Sequence, residues 1–170
     1  MPERLRSLSG PRRALSALLA ALVVLMVVFI WSNSLKDPEA SLRQSAVAER
    51  LVTPLILAIP MPSLHTPEMI SLLTRKLGHF AEFFLLGVLL MALAIALRPA
   101  LALPAWGLLL FAVAVAVADE GLQFLSDRAP RLADVLLDSV GAGCGLVVAW
   151  LFGRLWRSRL RAAMGRNGHV

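Results

Sequence analysis

From residue 14 to residue 31 the chain runs for 18 residues without a charged side chain. That length is close to the roughly 20 residues a helix needs to cross the hydrocarbon core of a bilayer. Three more apolar runs follow, at about 78–97, 104–123 and 134–152. Four such segments in 170 residues leave little chain for any other architecture. Only 16% of the residues are charged and 58% are hydrophobic, against about 25% charged in an ordinary soluble domain. A soluble globule would lack the polar surface to cover this apolar material, and disorder requires the opposite composition. One cysteine, Cys144, forms no internal disulfide, and the Cys and His spacings match no zinc pattern. The expected fold is therefore all-α: a polytopic membrane protein of four transmembrane helices.

Punctuation refines the four spans. Thr66-Pro67-Glu68 combines a capping hydroxyl, Pro at the first helical position and an acid in the first turn. The second helix should therefore begin near residue 67, well before its membrane entrance near Gly78, and residues 67–77 should project outside the cytoplasm as an extension. A cleaved signal peptide is the rival reading of the first run, but 18 apolar residues exceed the usual h-region of about 7 to 15. Residues 42–59 are apolar-rich but interrupted by Arg43, Arg50 and Pro54, which predicts a partly amphipathic helix on the membrane surface.

An even number of spans places both termini on one side, and basic residues decide which. The side holding the tails 1–13 and 153–170 and the turn at Arg98 carries 10 Lys and Arg, and the other side carries 7 in much longer loops. Positive charge concentrates on cytoplasmic flanks, so both basic tails should be cytoplasmic in a multi-pass protein of the cell membrane. The net charge of +6 is accounted for by these flanks, and no basic stripe interleaved with aromatics suggests nucleic acid.

The chemistry lies in the polar residues that interrupt the spans. Lys76, His79 and Glu82 recur at steps of three near one end of the second span, which puts them in one sector of a helix. The third span ends in Asp119, Glu120 and Gln123, and the fourth opens after Arg128 and Arg131 with Asp134 and Asp138. All should converge at the outer margin of the bilayer. An ionisable group held in lipid costs about 2.5 to 3.5 kcal/mol on insertion scales, so these side chains should face inward and pair. Five acids meet three permanent cations and one histidine, leaving room for a shared proton or a bound cation. Asp134, Asp138, Gly141 and Gly145 form a single helical stripe; its small residues permit close helix contact, either within the bundle or between copies of the chain.

Three elements together resemble the VanZ-like family: Trp31-Ser32-Asn33-Ser34 at the exit of the first span, Arg75-Lys76-x-x-His79-Phe80-x-Glu82, and Asp119-Glu120-x-x-Gln123-Phe124 followed by Arg128, Asp134, Asp138 and Gly141. The pattern covers roughly residues 25–150. The chain departs from the usual family pattern at two positions, with Phe83 in place of a tyrosine and Asp138 in place of an asparagine. The resemblance implies a bacterial cell-envelope membrane protein, and a link to susceptibility toward teicoplanin, a lipid-bearing glycopeptide. It implies no catalytic mechanism.

Two functional readings stand beside a purely structural ion-pair network locking the helix ends. In the first, an outward polar site binds membrane lipid or a lipid-linked envelope molecule through Lys76, Gln123, Arg128, Arg131, Asp134 and Asp138. In the second, a membrane enzyme uses His79, Glu82, Asp119 or Glu120 as general acid or base on such a substrate. No G-x-S-x-G elbow is present, although Ser126 and Ser139 lie near these acids in sequence. Neither reading calls for a cofactor or a resident metal; an oxygen-rich set of His79, Glu82 and the later acids would favour Mg or Mn over Zn. Transport would need an oligomer, since four helices offer little room for alternating access.

Overall fold

A computed structural model describes residues 10–36, 38–98, 101–125 and 131–166. Five α-helices account for nearly all of them: α1 (Gly10–Ser34), α2 (Pro38–Leu57), α3 (Pro67–Leu97), α4 (Ala105–Leu125) and α5 (Leu132–Arg166), with a 3₁₀ turn at Pro62–Leu64. No strand occurs among the described residues. Helices α1, α3, α4 and α5 are long and apolar enough to cross a membrane. Only 17–33% of the residues in their most apolar windows are buried inside the bundle. Leu18, Val24, Leu25, Trp106, Leu110, Val140 and Phe152 all point outward, a surface that lipid can cover and water cannot.

Local signals explain the helix ends. The Thr66 hydroxyl accepts from the Met69 backbone N–H at 3.3 Å, with Pro67 at the first position and Glu68 in the first turn, as the sequence predicts. One unbroken helix then runs 31 residues to Leu97. At 1.5 Å per residue that is about 46 Å, longer than a hydrocarbon core of about 30 Å. The 35 residues of α5 overshoot by more, and its last turns carry Arg154, Arg157, Arg159 and Arg161. Arg154 lies over the Trp150 ring, 5.3 Å from its centroid. Helix α2 begins four residues before the expected stretch of 42–59 and ends two residues short of it, and it packs against α3.

Helix α3 is the centre of the bundle: it touches each of the other four helices and meets α5 most extensively. Small residues let the two backbones approach. A Cβ built on Gly87 would collide with the Ala142 carbonyl, one on Gly145 with the Phe84 carbonyl, and one on Gly141 would lie 2.7 Å from the Phe80 carbonyl oxygen. The stripe that the sequence offers for association between copies is thus spent within the chain, on α3. Around and beyond this crossing, Phe83, Leu86, Leu90, Met91 and Ala94 of α3 join Val23 and Ile30 of α1, Leu108, Ala112, Val115 and Ala116 of α4, and Ala142 and Leu146 of α5 in one apolar core. Trp31 of α1 packs against that core and its indole N–H donates to the Val115 carbonyl of α4 at 3.4 Å.

Candidate functional site

The close crossing of α3 and α5 brings the polar ends of four helices to one end of the bundle. Asp119 on α4 is fully buried. Its Oδ1 accepts from the Ser34 hydroxyl of α1 at 2.6 Å and its Oδ2 from the Gln123 amide, one helical turn on, at 3.0 Å. His79 of α3 faces the same carboxylate, with Nδ1 4.0 Å from Asp119 Oδ2. Asp138 of α5 completes the group: one ligand-capable atom from each of His79, Asp119 and Asp138 lies within 4.8 Å of the other two.

Around this centre the remaining acids find neutral or cationic donors. Glu82 Oε1 accepts from the Asn33 amide at 2.9 Å, and the Asn33 carbonyl oxygen accepts from Lys36 at 2.7 Å. Glu120 Oε2 accepts from the backbone N–H of Arg131 at 2.8 Å, tying the end of α4 to the start of α5. Lys76 of α3 is paired with Asp134 in the first turn of α5. Asp138 is different. It is fully buried, and neither of its carboxylate oxygens has a hydrogen-bond partner among the described residues. Nδ1 of His79, Oε2 of Glu82 and Oε1 of Glu120 are likewise buried and unpartnered.

A cavity of about 260 Å³ sits over this cluster, lined by Leu72, Arg75, Lys76, His79, Gln123, Arg131, Asp134 and Leu137. It contains three cationic side chains and one acid, whereas the layer beside it gathers four carboxylates, half-buried Glu82 and buried Asp119, Glu120 and Asp138. A basic rim over an acidic floor suits an anionic group above and a proton or cation below.

Of the residues singled out in the sequence, Lys76, His79, Gln123, Arg131 and Asp134 line the cavity, while Glu82, Asp119, Glu120 and Asp138 form the layer beside it. Arg128 lies outside the described residues. The sequence reading of the site omitted three participants. Arg75 lines the cavity, and Asn33 and Ser34 hold Glu82 and Asp119. The available signal was position: Asn33 and Ser34 are the polar end of the uncharged run and the last two residues of α1, and Ser34 is only 1% exposed. A polar residue at the mouth of an apolar span is buried when a neighbouring helix offers it a partner. The Ser139 hydroxyl donates to the Val135 carbonyl of its own helix at 2.6 Å, and Cys144 is exposed on the outside of the bundle.

Residues 19–153 match the family model described as VanZ/LLP1. The matched stretch contains every residue of the cluster, from Asn33 to Asp138. No curated protein and no solved structure matches the chain.

Proposed function

The chain belongs to the VanZ/LLP1 family, and from that premise we propose that it is an integral membrane protein of the bacterial cell envelope whose polar site opens on the outer face and binds the anionic head group of a lipid or lipid-linked envelope molecule. Through that ligand it influences susceptibility to lipid-bearing glycopeptides of the teicoplanin type. The observation that carries this reading is the cavity: Arg75, Lys76 and Arg131 converge around a space of about 260 Å³ at the end of an apolar bundle. A lipid phosphate or carboxylate can reach such a rim from the bilayer without leaving its own depth. Charge-assisted hydrogen bonds from guanidinium groups are the strong, directional contacts for such oxyanions.

Mass spectrometry of lipids that copurify with the protein tests the reading. The wild-type protein should retain an anionic lipid or lipid-linked molecule, and an Arg75→Gln/Arg131→Gln variant should retain at least tenfold less at equal yield. Both side chains are solvent-exposed, so the double substitution leaves the packing intact. Equal retention by the two proteins would contradict head-group binding. A chemically converted lipid, formed only by the wild type, would favour the enzymatic alternative, with His79 or Glu82 as acid or base.

The outward orientation rests on the distribution of basic residues, 10 on the side of the tails and 7 on the other. In a Cys144→Ser background, cysteine at position 37 should react with an impermeant maleimide in intact cells, and cysteine at position 165 should react only after lysis. The reverse pattern would place the cavity in the cytoplasm and end the envelope-ligand reading.

A further inference from the structure

The head-group reading uses the rim of the cavity and leaves its buried floor unexplained. Asp138 is a carboxylate with no exposure and no hydrogen-bond partner at either oxygen among the described residues. Burying an ionisable group without a partner is costly in protein or lipid. Its nearest chemistry is the His79 Nδ1, itself buried and unpartnered, and the Asp119 carboxylate. We propose that His79, Asp119 and Asp138 hold a divalent first-row transition-metal ion.

Three features of the site support a metal over a simple ion pair. First, the donor atoms come from three different helices, α3, α4 and α5, and lie within 4.8 Å of one another. Two ligands sharing one ion through bonds of about 2.0 to 2.2 Å stand about 3 to 4 Å apart, so small side-chain rotations close the set. Second, Asp119 is already oriented: Ser34 donates to one oxygen at 2.6 Å and Gln123 to the other at 3.0 Å. Such outer hydrogen bonds aim metal-ligating carboxylates and leave further lone pairs for the ion. Third, His79 also lines the cavity, while Asp119 and Asp138 are fully buried behind it, so the imidazole stands between the two carboxylates and the accessible space through which an ion would enter.

The imidazole narrows the choice of ion. Mg²⁺ and Ca²⁺ prefer all-oxygen sets, whereas one nitrogen with two carboxylates suits Mn²⁺, Fe²⁺ or Zn²⁺. This departs from the sequence expectation of no resident metal, because only the fold shows that the odd acid and the histidine share one point. The inference is independent of the head-group reading, which concerns Arg75 and Arg131.

The test uses full-length protein purified in detergent, treated with chelator and then exposed to Mn²⁺, with binding followed by electron paramagnetic resonance and with Zn²⁺ as competitor. One equivalent of Mn²⁺ should bind and Zn²⁺ should displace it. Asp138→Asn and His79→Gln should each weaken binding at least tenfold while the protein stays monodisperse. Asp138→Asn is the gentler variant, since the native oxygens accept no hydrogen bond that an amide would lose. His79→Gln gives a second, separate reading should the first variant misfold. Absence of a stoichiometric site for both ions in the wild-type protein would overturn the proposal, and so would unchanged affinity in the variants, which would put the ion elsewhere. Loss of the metal with retention of copurified lipid would leave the head-group reading standing.

Discussion

Replacing Gly145 with leucine should abolish accumulation of the folded protein in the membrane, while Gly143→Ala, two residues away on the same helix, should be neutral or slightly stabilising. The contrast comes from what each Cβ would meet. At Gly145 it would collide with the Phe84 carbonyl and lie 3.0 Å from the Val88 backbone nitrogen; at Gly143 it would find nothing within 4 Å. Backbone cannot rotate away as a side-chain tip can, so α3 and α5 would have to separate. Overpacking costs about 1 to 3 kcal/mol even where side chains can yield. The loss should be larger here, because the helices of a membrane bundle associate through close packing without a hydrophobic drive. Separation would also open the cavity, since Lys76 and His79 stand on one of these helices and Asp134 and Asp138 on the other. Fluorescence-detected size exclusion of both variants, with thermal melting of any folded fraction, is the measurement. A Gly145→Leu protein as abundant and stable as Gly143→Ala would show that the crossing does not hold the fold.

The second large effect is expected at Asp119. Asp119→Ala removes the acceptor of the short Ser34 hydrogen bond, takes the buried Gln123 amide's partner on Asp119 away and removes the acid facing His79. Hydrogen bonds to a charged group are each worth about 1.5 to 3 kcal/mol, and a buried polar group left unsatisfied adds its own penalty. Asp119→Ala should therefore lower the melting temperature far more than Ser34→Ala, which removes one of the two bonds together with its donor. Asp119→Asn should fall between them, because an amide oxygen can still accept from Ser34. Equal melting temperatures for Asp119→Ala and Ser34→Ala would mean that Asp119 acts as a ligand or proton carrier without joining α1 to α4.

These predictions separate what could be read along the chain from what could not. The lengths of the apolar runs, the Thr66 cap and the steps of three or four between Lys76, His79 and Glu82, or between Asp119 and Gln123, are properties of one helix at a time. They set each polar residue's depth and sector, and so the shared height of the acids was legible. The partner of each acid was not. Five acids against three permanent cations implied surplus charge, yet only the fold pairs Lys76 with Asp134, gives Glu120 a backbone N–H, gives Glu82 an amide, and leaves Asp138 with none among the described residues. Asn33 and Ser34 stood in the sequence only as part of the Trp31–Ser34 element of the family resemblance, with no partner legible for either.

Sequence alone thus determined that the chain is a four-span helical membrane protein in which the acids that interrupt the spans lie at one end. Hydropathy and helical period act locally, and the bilayer imposes a fixed length on each span. Tertiary structure decided which residues share the site, because that depends on the rotation of each helix about its own axis and on how closely the axes cross. At the α3–α5 interface that closeness comes from Gly87, Gly141 and Gly145 meeting backbone carbonyls across the crossing. No periodicity within either helix encodes that match; it exists only between the two surfaces once they are packed.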